Sequence, residues 1–167
     1  VEFAFRHDLV RDAAYQMLTP EDRRIGHRLA GAWLVEHREG DAVVLAEHFA
    51  GGGVTHEAVS WFERAAEQAL AGAAADKEAL RKAAGFYLRA GETCAAAYAN
   101  ADAIAYFERA AVLWAPFDRA ESARTRLALA RVRERAGERE RAVEAVRRAG
   151  DDAVAANARA ELRVEIL

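Results

Sequence analysis

The sequence predicts an all-α fold, a right-handed superhelix of antiparallel helix pairs (an α-solenoid) with about eight or nine helices, and three observations carry that prediction. The first is composition. Hydrophobic residues make up 53% of the chain but aromatics only 8%, and much of the remainder is alanine, the best helix former and a side chain that lets helices approach closely. The second is the scarcity of breakers: only two prolines occur, and few stretches gather Val, Ile, Thr and aromatics as strands do. The third is a recurring pattern of small residues and rings at fixed offsets.

Taken in order, Val1, Phe3 and Phe5 alternate with Glu2, Ala4 and Arg6, a short strand-like signal. A helix is predicted from about Asp8 to Leu18, with Leu9, Ala13 and Met17 beside Val10, Ala14 and Leu18. Thr19-Pro20-Glu21-Asp22 reads as the next helix start, with Thr19 as N-cap, Pro20 in the first turn and acids near the positive end of the helix dipole. Ile25, Leu29, Ala32 and Trp33 then form an apolar stripe at spacings of three and four, and the helix should end near Gly40. Gly51-Gly52-Gly53 reads as a flexible turn before Thr55, a good N-cap. It lacks the lysine and the preceding strand that a phosphate loop requires. Asp76 should cap one long helix running to Tyr98, and Asn100 the helix after it, with Asp102 in its first turn.

The repeat lies in the second half of this layout. Ala58, Phe62 and Ala65 recur as Ala103, Phe107 and Ala110, and in fainter form as Ala142, Val146 and Ala149. Each set follows a helix with its own small-residue pattern: Leu45-Ala46 with Phe49, Ala90-Gly91 with Cys94, and Leu129-Ala130 with Arg133. The offset from Ala46 to Ala58, Gly91 to Ala103 and Ala130 to Ala142 is 12 residues each time. Helices cross closely only where small side chains meet, and a ring fills the groove beside the crossing.

These residues resemble the tetratricopeptide repeat, a helix–turn–helix unit of about 34 residues. Gly137-Glu138 matches the turn between its helices, and Pro116 is similar to its closing proline, displaced by one residue. The first-helix tryptophan of that pattern is absent, and Arg133 stands where an aromatic is usual. The resemblance covers roughly residues 42–150, as pairs at about 42–71, 76–115 and 119–150, followed by the start of a further helix at about 157–167. The repeat spacings, 45 residues from Ala58 to Ala103 and 39 from Ala103 to Ala142, exceed 34. The first excess is about three turns, so residues around 72–84 should extend a helix without rotating its buried face. The second is expected in the Ala115–Ser122 link.

A second resemblance concerns a series of phrases: Phe5-Arg6-His7-Asp8-Leu9-Val10-Arg11-Asp12-Ala13-Ala14-Tyr15, Arg23-Arg24 with His27, Ala46-Glu47-His48-Phe49, and Arg89-Ala90-Gly91-Glu92. Their order is similar to large bacterial regulators in which a signal-transducing ATPase (STAND-type) precedes a winged-helix segment and tetratricopeptide repeats. That resemblance implies residues 1–37 as a helical linker or cap after a winged-helix segment, and residues 38–167 as the partner-binding or sensing arm. A kinase, cyclase or DNA-binding output would lie elsewhere in the parent chain. No Gly-x-x-x-x-Gly-Lys-Ser/Thr loop occurs in these residues. The chain has no initiator methionine and stops inside a helical pattern, so both ends read as cuts within a longer protein.

Charge and chemistry narrow the function. Residues 1–75 carry 7 Lys and Arg against 12 Asp and Glu, residues 76–117 carry 5 against 5, and residues 118–167 carry 12 against 10. No segment has the basic excess that a phosphate backbone calls for, so nucleic acid is not expected as a direct partner. The single cysteine, Cys94, excludes an internal disulfide framework and fits a reducing cytoplasm; it falls at a core position. No apolar run of about 18 residues is present, so no membrane span is expected. The five histidines, His7, His27, His37, His48 and His56, lack ligand spacing for a metal, and His27 is expected to reach His48 through a structural hydrogen bond. Asp151-Asp152 and Glu21-Asp22 are read as capping and solvation. Trp33, Trp61, Trp114, Tyr87, Tyr106 and Phe107 are read as mostly core, with Trp114 partly exposed. No enzymatic role, metal or cofactor is expected.

The expected function is therefore protein interaction or scaffolding, with a small-ligand sensor arm controlling an ATPase as the alternative. The resemblance places the groove on the first helix of each pair. Its positions are Val43, Glu47 and Ala50, then Leu88, Glu92 and Ala95, then Leu127, Arg131, Glu134 and Arg135. Such a groove suits a protein or peptide with a basic end and an apolar middle. A homodimer through the end helices is also expected.

Overall fold

Capping side chains divide the alanine-rich chain into helices. The computed structural model describes residues 7–71 and 76–156, and every regular element among them is α-helical. The described helices are α1 (Asp8–Met17), α2 (Pro20–Glu36), α3 (Ala42–Gly51), α4 (Thr55–Ala71), α5 (Lys77–Ala96), α6 (Asn100–Trp114), α7 (Arg119–Arg135) and α8 (Arg139–Ala155). The Thr19 hydroxyl accepts from the Asp22 N–H at 3.1 Å and donates to the Asp22 carboxylate at 2.7 Å. Asp41, Asp76 and Asp118 cap α3, α5 and α7 in the same manner, accepting from Val44, Glu78 and Glu121. Each satisfies a backbone donor that has no partner inside its helix.

Two expected caps are corrected. Asn100 is the first residue of α6, after an Ala99 cap with no side-chain bond, and its carboxamide oxygen instead accepts from Arg135. Thr55 is likewise the first residue of α4 rather than its cap. The α2 helix stops at Glu36, short of Gly40, because Arg38 (φ 55°) and Gly40 (φ 82°) turn the chain through the left-handed region. The predicted long helix holds as the 20 residues of α5, which begins behind Asp76 and buries Ala83 and Ala84 in the added turns. Of the expected extension, residues 72–75 lie outside the described residues, as do the strand-like stretch at 1–6 and the further helix at 157–167. The link predicted at Ala115–Ser122 shortens to Ala115–Asp118, and Ser122 is buried inside α7.

Successive helices pack on one another from α2 to α8, so the chain is a stack of helical hairpins of the solenoid type. Among the described residues, no helix is long and apolar enough to cross a membrane. The crossings are built as the spacing requires. Ala58 and Ala103 have no exposed surface and Ala142 is buried; Phe62 and Phe107 are enclosed beside the first two. Gly91 lies under Phe107 so closely that a Cβ there would sit 2.7 Å from the ring. Ala46 clusters with Phe62, and Ala130 with Val146. The register reaches into the turns as well. Gly53 (φ 71°), Tyr98 (φ 60°) and Gly137 (φ 84°) each stand five residues before the crossing alanine and reverse the chain in the left-handed conformation.

The first two helices depart from expectation. Ile25, Leu29 and Trp33 are all exposed, and Trp33 stacks on His37 with ring centroids 4.2 Å apart. The face of α2 that meets α3 carries His27, Gly31 and Leu34 instead. Gly31 is buried there, because a Cβ would come within 3.2 Å of the Phe49 ring. No residue of α1 is buried. Trp114, expected to be partly exposed, is buried against Phe117, while Trp61 and Tyr106 are half-buried.

Two glycines of α5 separate packing from propensity. Gly91→Ala should lower stability by about 1–3 kcal/mol through overpacking against Phe107. Gly85→Ala, where nothing lies within 4 Å of the added Cβ, should raise it by up to about 1 kcal/mol from helix propensity. Thermal and denaturant unfolding would read both, and equal effects would contradict the close crossing.

Candidate functional site

The first helices of the three hairpins, α3, α5 and α7, present the residues expected to line a groove. Glu47, Glu92, Arg131, Glu134 and Arg135 are exposed, whereas Val43, Ala50, Leu88 and Ala95 are half-buried. Leu88 packs against two core clusters. Leu127 is a correction: it is buried among Ala123, Ala149 and Ala153, on the side of α7 that meets α8. Its assignment to the groove followed the repeat register, in which the matching Val43 and Leu88 are already half-buried, and packing against α8 covers it fully.

Arginines tie these helices across the face. Arg89 of α5 donates to the Glu47 carboxylate of α3 at 2.6 Å. Arg135 of α7 donates to the Ala95 carbonyl of α5 at 3.0 Å and to Asn100 at 2.9 Å, with its guanidinium 5.0 Å from the centre of the Tyr98 ring. Between α2, the α3–α4 turn and α5 lies a cleft of about 440 Å³, lined by Arg24, Ala50, Thr55, Arg89, Glu92 and Thr93 among others. The cleft thus gathers Ala50 and Glu92 from the expected set, with Glu47 at its edge through Arg89. It does not reach Val43 or the α7 residues. Sequence reasoning missed Arg24, Arg89 and Thr93. Arg89 is one turn before Glu92 on the same stripe, which was the available signal; Arg24 arrives from α2, outside the repeat.

The Gly51–Gly53 turn is a packing device rather than a flexible link. A Cβ on Gly51 would lie 2.9 Å from the His27 ring, and one on Gly52 would lie 3.0 Å from the Arg28 backbone nitrogen. This close approach lets His27 meet His48, Nδ1 to Nδ1 at 3.2 Å, in the contact the sequence suggested. His7, His37 and His56 are exposed. Among the described residues, no group of three or more His, Cys, Asp and Glu is arranged to hold a metal ion. Cys94 is buried, and burial, with Asp102 adding, pushes its thiol up to about 11, so it stays protonated at neutral pH.

Away from the cleft, two charged groups sit inside the stack. Asp152, read from sequence as a solvated helix-end acid, is buried between α7 and α8. It accepts from Ser122 at 2.6 Å, Arg119 at 2.6 Å and Arg126 at 2.9 Å. Burial pushes this carboxyl up, but those three donors outweigh it and hold it below the ordinary carboxylate value. Arg133, in the slot that Phe49 and Cys94 occupy in the other pairs, is largely enclosed and pairs with Glu108. Each charge is met by partners of its own, Asp152 by Arg119 and Arg126 and Arg133 by Glu108, which fits a structural role.

No protein-family model matches the sequence, and no curated protein is similar enough to count as a relative.

Removing the Asp152 carboxylate by Asp152→Ala leaves the enclosed Arg126 without its acceptor, while Ser122 keeps the Ala111 carbonyl, and should cost about 3 kcal/mol. Because the folded carboxyl is depressed, its stabilisation is complete above the unfolded value of about 3.9 and is lost as pH falls through the lower folded value. Unfolding of the native chain and the variant between pH 7 and 2 should therefore converge at the acid end. Parallel curves would contradict the assignment.

Proposed function

We propose that this chain is a non-catalytic protein-interaction module that binds a peptide segment across α3 and α5, with α7 extending the surface. The observation that carries this reading is the open cleft of about 440 Å³, lined by Ala50, Ala96 and Ala97 together with Arg24, Arg89 and Glu92. A binding face made from successive hairpins, with small residues in its lining and fixed charges along its edges, can accept an extended backbone and select side chains by charge. The Glu47–Arg89 pair holds that edge in place, and Glu92, which has no ion pair among the described residues, can meet a basic residue of the partner.

The same reading takes the hairpins as tetratricopeptide repeats in the cytoplasmic arm of a larger bacterial signalling regulator. Its support is the 12-residue offset repeated three times and the close crossings at Ala58, Ala103 and Ala142. A second reading, a small-ligand sensor arm, has one observation in its favour: the cleft volume lies within the range of small-molecule sites.

Calorimetry against a library of charged peptides and a panel of metabolites separates the two. Peptides with a basic end should bind, and Glu92→Lys should weaken them by about tenfold or more, equivalent to about 1.4 kcal/mol. Arg147→Ala on α8, far along the chain from the cleft, should leave affinity unchanged. Heat with metabolites alone, or peptide binding indifferent to Glu92, would overturn the proposal.

A further inference from the structure

We propose that His27 and His48 form a proton-operated latch that holds α1 and α2 against α3 and opens when both imidazoles carry a proton. The two rings lie 5.3 Å apart and meet through their Nδ1 atoms at 3.2 Å, while the other nitrogen of His27, Nε2, is 2.8 Å from the Tyr15 hydroxyl of α1. With both rings neutral, one proton arrangement satisfies the whole chain. Tyr15 O–H donates to His27 Nε2, and His27 Nδ1–H donates to His48 Nδ1. A first added proton is also accommodated, because a cationic His27 still donates to His48 and can donate to the Tyr15 oxygen. A second is not. It sets an N–H against an N–H and a positive charge against another at the same 3.2 Å contact.

Both rings are half-buried, and among the described residues neither has a carboxylate partner. His27 is packed against Gly51, where even a Cβ would intrude at 2.9 Å. From α1 the facing titratable group is Tyr15. From α2, Arg23 lies over the Tyr15 ring at 5.1 Å and Arg24 reaches Gly53. From α3, Glu47 follows in sequence but is turned to Arg89 of α5. Beyond the glycine turn, His56 of α4 is exposed. Among the described residues, no carboxylate hydrogen-bonds either imidazole. Burial first, and then His27, hold His48 below the ordinary histidine value. The contribution of neutral His48 is therefore complete above the unfolded value of about 6.5 and is lost as pH falls through its lower folded one.

The element released is α1. It buries no residue of its own, and its side-chain ties to α2 are the Tyr15–His27 bond and Arg23, which donates to the Leu18 and Gln16 carbonyls. When His27 is driven away from His48, the anchor of Tyr15 moves with it. This inference concerns the end of the stack and does not rest on the peptide-binding reading.

The test combines proton NMR of the imidazoles with hydrogen exchange of residues 8–17 from pH 7.5 to 5. Two separate histidine steps are expected, the second below about 6.5. Exchange of the α1 amides, corrected for the intrinsic rate, should rise about tenfold per pH unit below that second step, since one proton drives the opening. His48→Gln should abolish that pH dependence. Tyr15→Phe should free α1 at every pH while leaving the two-step titration in place. A single shared step near the ordinary value, an α1 unprotected at pH 7.5, or protection that stays flat throughout would each overturn the latch.

Discussion

The separation between successive helices is set by what lies at their crossing, and here that is a side chain of one carbon or none facing a ring. Gly91 under Phe107, Gly51 under His27 and Gly31 under Phe49 are close cases, with Ala46 beside Phe62 a looser version. Because the ring fills the space that a larger residue would have taken, the pair is both tight and specific in register. The cleft, the histidine contact and the arginine ties all presuppose this spacing. A helix pair held even one methylene wider would pull Glu47 from Arg89 and His27 from His48.

The part of the fold that was legible in sequence is the part written in short-range, periodic form. Ala58, Ala103 and Ala142 announce themselves because an internal offset repeats, and Asp76 because an acid before a helical run has few other uses. What escaped is whatever depends on rotation about a helix axis. The stripe of Ile25, Leu29 and Trp33 is a real amphipathic pattern, yet a lone helix pattern does not say whether a neighbour covers it; α2 turned Gly31 and His27 inward instead. Leu127 was misplaced for the same reason. Asp152 looked like one of a pair of surface acids, and only the arrival of Ser122, Arg119 and Arg126 from another helix makes its burial tolerable. Tyr98 hid the turn signal that Gly53 and Gly137 display, since a tyrosine is not read as a left-handed residue.

The charges divide into two populations with different roles. Exposed pairs such as Arg147 with Glu144 add little to stability and are screened by salt. Enclosed ones, Asp152 and Arg133, hold α7 in a single orientation between α6 and α8, because any other rotation would strand a charge. Polar contacts therefore fix the angle of α7, and apolar contacts fix its distance. In the candidate cleft Arg89 is held by Glu47, whereas Glu92 has no ion pair among the described residues.

Neighbour-to-neighbour packing has a consequence for how such a chain assembles and changes. Contacts that join adjacent hairpins close only short loops, so ordering can begin at whichever hairpin is locally strongest and spread along the stack in either direction. Unequal hairpin lengths, such as the added turns at the start of α5, then disturb nothing beyond their immediate neighbours. The architecture is one in which a hairpin can be gained, lost or lengthened as a unit while the crossings on either side survive.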